Sequence, residues 1–284
     1  MAARLNLSGA SVRLTLQERT YQAVKKALLS GELIAGQSLT VREIAESMGT
    51  SPTPVREAVR RLLTEGAFEL LPNGTVRVRQ MNDEQRQHAR DIRIMLEGLA
   101  ARRAAALATP EEIDAIERTN EEMKSAILRR DVKRYCLKNM EFHFELYQAA
   151  RSEVVFEIIE RLWVQISPFL TVYAIDLIDH QPKKIIKILT AEHDRIIRAL
   201  RQRDGDEAEN AIRADLSQTF EGRPKNALVP DAPSISSPIP LAKVKELKTI
   251  FIDKVPPPDN SSKIIRHIYA RPCLLYTSPS PRDS

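Results

Sequence analysis

Along the first eighty residues, apolar positions recur at helical spacing in three short runs. Over residues 17–30, Tyr21, Val24 and Leu28 fall on one face, and Gly31 follows as a stop. A short turn containing Gly36 leads to Thr40, which forms a capping box with Glu43, so a second helix starts there. Val41, Ile44, Ala45 and Met48 give that helix an apolar side, and Gly49 ends it. Ser51 is placed to cap a third helix, with Pro52 at the first position, where a missing N–H costs nothing. Val55, Ala58, Val59, Leu62 and Leu63 form its buried stripe, and Gly66 closes it. Two short apolar stretches, residues 67–71 and 75–78, are joined by Pro72-Asn73-Gly74, a strong hairpin signal. Three helices and a two-stranded hairpin predict a winged helix-turn-helix over residues 17–80, behind a flexible arm of residues 1–16.

From residue 82 onward the pattern is helical. Ile92, Met95, Leu96 and Leu99 mark a long helix ending near Ala108. Thr109-Pro110-Glu111-Glu112 is a second capping box, opening a helix to about Arg130, and Asp131 caps the next, to about Ala150. Ser152 opens a further helix through Trp163, bent or broken at Pro168. Residues 182–203 and 206–220 supply two more. The fold class is therefore mainly α: an N-terminal winged helix-turn-helix followed by an all-α bundle of about six helices over residues 82–222. Eleven of the seventeen prolines lie in residues 223–284, where hardly any apolar period survives, so this tail is expected to be disordered. Its end, from Cys273, resembles translated adaptor or vector sequence and is set aside.

Charge sharpens this division. Residues 1–80 carry 11 Lys/Arg against 7 Asp/Glu, whereas residues 81–222 carry 22 against 26. A basic head on an acidic body suits a polyanion-binding module joined to one that is not. Cys136 and Cys273 are the only cysteines, which fits a reducing cytosol. The first 17 residues lack the apolar core of a secretory signal. No apolar run is read as reaching the ~20 residues of a membrane span, so a membrane is not expected as a partner.

A helix-turn-helix places its second helix in the major groove, which requires one buried and one hydrogen-bonding side. In the third helix Thr53, Arg56 and Arg60 lie opposite the stripe led by Val55, Val59 and Leu62. Arginine suits a bidentate contact with guanine and pairs equally well with phosphate. Ser51 sits where free N–H groups and the helix dipole attract a phosphate. Arg42 is placed to hold backbone or base. The Asn73-Gly74 tip, followed by Arg77 and Arg79, can lay a wing along the minor groove or the backbone.

The run Gly31-Glu32-Leu33, Gly36 and Leu39, then Arg42-Glu43-Ile44-Ala45, then Ser51-Pro52-Thr53-Pro54-Val55-Arg56-Glu57-Ala58, resembles the GntR family of bacterial regulators. Asn73-Gly74 resembles its wing. The resemblance covers about residues 15–80 and implies DNA contacts at Arg42, Ser51, Thr53, Arg56 and Gly74. Pro52 departs from the many members that have a base-reading arginine there.

Residues 82–222 resemble the FCD ligand-binding domain of the FadR subfamily. Arg93 and Glu97 match its start, Asn139-x-x-Phe142-His143 its Asp-x-x-Phe-His motif, and Glu192-His193 its Glu-His. Asp215-Leu216 stands where the family usually has His-Leu. The resemblance implies a metal held by one Asp and three His; here the Asp has become Asn139 and one His has become Asp215. The chemistry of the residues agrees. Asn139 and His143 stand four apart on one helix, and His193 and Asp215 come from two later helices. Two imidazoles, a carboxylate and an amide oxygen suit zinc, manganese, nickel or iron, with positions left open for a ligand. Arg93 offers a charged fork to a carboxylate on the open side, and the resemblance implies small organic acids as effectors. His88, His180 and His267 read as ordinary histidines, and Trp163, Phe169 and Tyr173 as core.

These readings converge on a cytoplasmic, nucleoid-associated bacterial repressor, a homodimer that binds a two-fold double-stranded operator and responds to a small carboxylate. It is not expected to be an enzyme. The rival class, a metal-dependent enzyme in a helical bundle, wants repeated Glu-x-x-His pairs or a general base, and only Glu192 offers itself as a base.

Overall fold

The computed structural model describes residues 15–180 and 182–221; the expectations for residues 1–14 and 222–284 lie outside the described residues. Helix α1, Leu16–Leu29, starts at Thr15, whose hydroxyl accepts from Glu18 N–H at 3.1 Å. Helix α2, Val41–Ser47, carries the expected capping box: Glu43 N–H donates to Thr40 Oγ1 at 3.1 Å, and Thr40 N–H to Glu43 Oε2 at 2.7 Å. Helix α3, Pro52–Thr64, buries Pro54, Val55, Ala58, Val59 and Leu62 against α1 and α2.

The wing departs from a plain hairpin. β2 (Phe68–Leu70) and β3 (Val76–Val78) pair antiparallel, Phe68 opposite Val78, and a two-residue strand β1 (Ser38–Leu39) adds to the other edge of β3, Leu39 opposite Val76. Two residues cannot display a period of two, so the pattern did not reveal this strand. Ser51 also departs from expectation. It holds the N-cap position, but its side chain makes no capping hydrogen bond. A capping oxygen accepts from the second or third helical N–H, and here the third position is Pro54, which has none.

Among the described residues six helices follow: α4 (Asp83–Leu107), α5 (Pro110–Leu128), α6 (Val132–Ala149), α7 (Glu153–His180), α8 (Pro182–Gln202) and α9 (Gly205–Glu221). α4 packs on α6, α7, α8 and α9, while α5 packs on α6 and α8, which closes the bundle. Along α4 the inward face includes Arg93, Glu97, Gly98 and the alanine pairs Ala100-Ala101 and Ala104-Ala105. Ile92, Met95 and Leu99, expected to mark a packing stripe, are exposed instead, Met95 by 74%. Small residues on the inner side let α9 lie close, which turns the larger apolar ones outward.

α7 does not break. It runs 28 residues through Pro168. Proline removes one ladder bond, and two hydroxyls supply bonds on either side: Ser167 Oγ donates to Trp163 O at 2.7 Å and Thr171 Oγ1 to Ser167 O at 3.0 Å. Contrary to the expectation of no span-length apolar run, Glu153–Ile175 is long and apolar enough by length and composition to cross a membrane, with mean hydropathy 1.2. Half of that stretch is buried within the protein, where α7 packs on α1, α4, α6 and α8.

The winged helix sits directly on α7. Lys25 Nζ pairs with Glu160 at 2.7 Å, and Ala35 N–H donates to Pro168 O at 3.3 Å. Gly31, at φ +75°, lies so close to α7 that a Cβ would stand 2.4 Å from Thr171 Oγ1. Lys133 of α6 adds an ion pair to Glu32 at 2.8 Å.

Candidate functional site

On the exposed side of α3, Thr53, Arg56 and Arg60 stand clear of the protein, as do Ser51, Asn73 and Gly74. Their electrostatic situations differ. Arg60 Nη1 holds Glu57 at 2.9 Å and Arg42 Nε holds Glu46 at 2.8 Å. Among the described residues, Arg56 has no hydrogen-bond or ion-pair partner. At the wing, Asn73 Oδ1 accepts from Thr75 N–H at 3.0 Å, and Gly74 adopts φ +79° with open space around it. Arg77 is tied across the sheet to Glu69 at 2.6 Å. With prolines at its first and third positions, α3 has only Thr53 N–H free within its first turn, so an anion there meets fewer donors than at an ordinary helix start.

In the bundle, α6, α8 and α9 bring His143, His193 and Asp215 together, with one ligand atom from each within 4.8 Å of the others. His143 Nε2 lies 3.5 Å from Asp215 Oδ2 and His193 Nε2 lies 3.4 Å from Asp215 Oδ1. Both histidines are buried, and His193 stacks on Phe142 with ring centroids 4.2 Å apart. Neither ring nitrogen of His193 has a hydrogen-bond partner of adequate geometry among the described residues. Burial pushes the His143 imidazole down to about 3, helped by His193 and Arg93 and opposed by Asp215, so the ring is neutral at neutral pH. Burial acts to raise the Asp215 carboxyl, yet His193, His143 and Arg93 together hold it below the ordinary range. Two imidazoles and one carboxylate, with both buried ring nitrogens of His193 otherwise unsatisfied, are a donor set that fits a divalent cation.

Asn139, one turn before His143 on α6, lines the same cavity of about 60 Å³ with Arg93, His143, Trp163 and Asp215. On the same measure one water needs ~10–15 Å³, so a few small-molecule atoms fit. The wall also contains Leu29, from α1 of the winged helix. Arg93 is not an open fork. Its Nε and Nη2 donate to Glu97 at 2.7 and 3.4 Å, with both side chains buried. Glu97 also accepts from Trp163 Nε1 at 3.0 Å and from the Tyr147 hydroxyl, and His143 Nδ1 lies 2.9 Å from that hydroxyl. Sequence reasoning missed Glu97 and Tyr147 as members of the site. Each stands four residues from a residue it did single out, Arg93 and His143, which was the available signal. Glu192 is engaged by Arg195 at 2.5 Å and by Gln218 at 3.3 Å. His88 is exposed, while the His180 side chain and His267 lie outside the described residues.

Residues 16–78 match the family described as bacterial regulatory proteins, gntR family, and residues 88–218 match the FCD domain. The chain is 31% identical over 159 residues to the HTH-type transcriptional regulator McbR of Escherichia coli (strain K12), covering 56% of this chain and 71% of that protein. The chain belongs to the GntR family of bacterial transcription regulators. This GntR regulator is also 25% identical over 206 residues to the HTH-type transcriptional repressor RspR of the same strain, spanning 72% of this chain and 88% of that protein. The solved structure of E. coli McbR/YncC shares its fold at a TM-score of 0.66, over 72% of this chain and 95% of that one, at 24% identity. GntR proteins with an FCD domain are DNA-binding regulators rather than enzymes, so the rival reading of a metal-dependent enzyme falls away.

Proposed function

We propose that this regulator is a repressor that binds a two-fold operator as a homodimer and senses a small organic acid at a bound divalent metal. His143, His193 and Asp215 hold the ion in this reading, with Asn139 as a fourth ligand; zinc, manganese, nickel and iron all suit that set. The ion supplies a Lewis acid on which a carboxylate can dock. Arg93, on the cavity wall, adds positive charge near that carboxylate while Glu97 fixes its orientation.

The observation that carries the reading is the continuity of one cavity. Its wall runs from His143 and Asp215 to Leu29 of the DNA-binding head. α7 forms another part of that wall through Trp163, Ser167 and Thr171, and the same Thr171 abuts Gly31. A ligand that prefers one spacing of α6, α7 and α9 therefore biases α1, and α1 packs on α3. RspR is described as a repressor, which supports repression as the direction of control. Dimerisation is supported by apolar residues left exposed on two adjoining helices, Ile92, Met95 and Leu99 on α4 and Val154 and Ile158 on α7. A regulator with such a target works in the cytoplasm, on the nucleoid.

A panel of small organic acids, tested for thermal shift and for release of operator DNA with and without a chelator, examines this reading. A hit at a hundred times its dissociation constant should stabilise the fold by about 2.7 kcal/mol, and chelation should abolish the effect. If neither metal nor any acid alters melting or DNA affinity, the chain is a regulator without a ligand.

A further inference from the structure

We propose that Tyr147 and Glu97 are positioning residues that fix the tautomer of His143, so that its Nε2 lone pair is aimed at the ion-binding position. The inference rests on the metal reading above and deepens it.

The hydrogen-bond chain dictates the proton placement. Glu97 is buried and accepts from Arg93 Nε, Arg93 Nη2, Trp163 Nε1 and the Tyr147 hydroxyl, so every neighbour around the carboxylate is a donor. Tyr147 has a single hydroxyl proton, and it goes to Glu97. The Tyr147 oxygen can then only accept from His143 Nδ1, 2.9 Å away, which places the imidazole proton on Nδ1. An imidazole whose one N–H is at Nδ1 carries its lone pair on Nε2. That atom faces Asp215 Oδ2 at 3.5 Å, so two electron-rich atoms look at each other across a gap with no proton between them. A cation in that gap converts the repulsion into two bonds. Without Tyr147 the ring is free to carry its proton on Nε2 and donate it to Asp215, which closes the same gap and competes with the ion. The chain Glu97–Tyr147–His143 thus keeps the ligand position open, as outer partners of metal-bound histidines commonly do.

Tyr147→Phe in the full chain tests this, because it removes one oxygen and leaves the ring volume in place. Two readouts are needed: the His143 tautomer in the metal-free protein, by heteronuclear NMR of histidine-labelled chain assigned with His143→Gln, and zinc affinity, by competition with a chromogenic chelator. The wild type should show the Nδ1–H form. Tyr147→Phe should move it to Nε2–H and weaken zinc by about 10–100-fold, the range seen for loss of such partners. Glu97→Gln, which keeps the shape of the network but frees the Tyr147 proton, should weaken zinc less and mix the tautomers, and it serves if Tyr147→Phe does not fold. A wild-type Nε2–H form, or a folded Tyr147→Phe protein with unchanged tautomer and affinity, overturns the inference alone. A wild type with the Nδ1–H form and no zinc affinity overturns the metal reading, and the inference with it.

Discussion

An arginine that already grips a carboxylate must let it go before it can grip a base edge, and both Arg42 and Arg60 grip one. Exposed pairs of this kind contribute only about 0–1 kcal/mol, so release is cheap, but Glu57 and Glu46 stay nearby and repel phosphate. Arg56 has no such encumbrance. Arg56→Ala should therefore cost about 1–3 kcal/mol of operator affinity and relax sequence preference, while Arg60→Ala costs less and acts mainly through the salt dependence. Titrations of operator and scrambled duplex at two salt concentrations separate these outcomes; equal losses from both variants would contradict the ranking. The exposed face of α3 was legible in the sequence because aliphatic and charged positions alternate at helical spacing. The inert Ser51 side chain was misread as a cap, although Pro54 carried the signal, since a cap without a donor at the third position has half its targets. The Trp163 partner of Glu97 was not legible, because it lies sixty-six residues away in the chain and only packing brings it near.

At the scale of elements, patterning located the helices well and failed where neighbours decide the outcome. Pro168 looked like a break, but it removes only the ladder bond to Val164 O, and α7 continues, with the Ser167 and Thr171 hydroxyls bonded to the neighbouring carbonyls of Trp163 and Ser167. Ile92, Met95 and Leu99 looked like a core stripe, but the alanine face of α4 is the one that admits α9 at close range. The seam between α1 and α7 is the sharpest case of a neighbour's demand. Gly31 needs a positive φ and has no room for a Cβ beside Thr171. Gly31→Ala should destabilise the protein by about 2–4 kcal/mol, combining left-handed strain with overpacking. Adding Thr171→Ala should recover the overpacking share and leave the backbone share. Chemical unfolding of the two single variants and the double measures this, and additive losses would show that the residues do not press on one another.

For the whole molecule, the apolar residues left outside on α4 and α7 predict an association that a single chain does not display. Met95→Asp, at the most exposed of them, should shift sedimentation from dimer to monomer and weaken binding to a two-fold operator far more than to a half-site, while the melting of the isolated chain changes little. A dimer that survives this substitution would place the interface elsewhere. The position of Leu29 carries a different consequence. Because a head residue forms part of the sensor's wall, the two halves are not interchangeable cassettes. A chimaera that grafts another regulator's first eighty residues onto this body would import a foreign side chain at that point, and so would exchange inducer preference together with promoter choice.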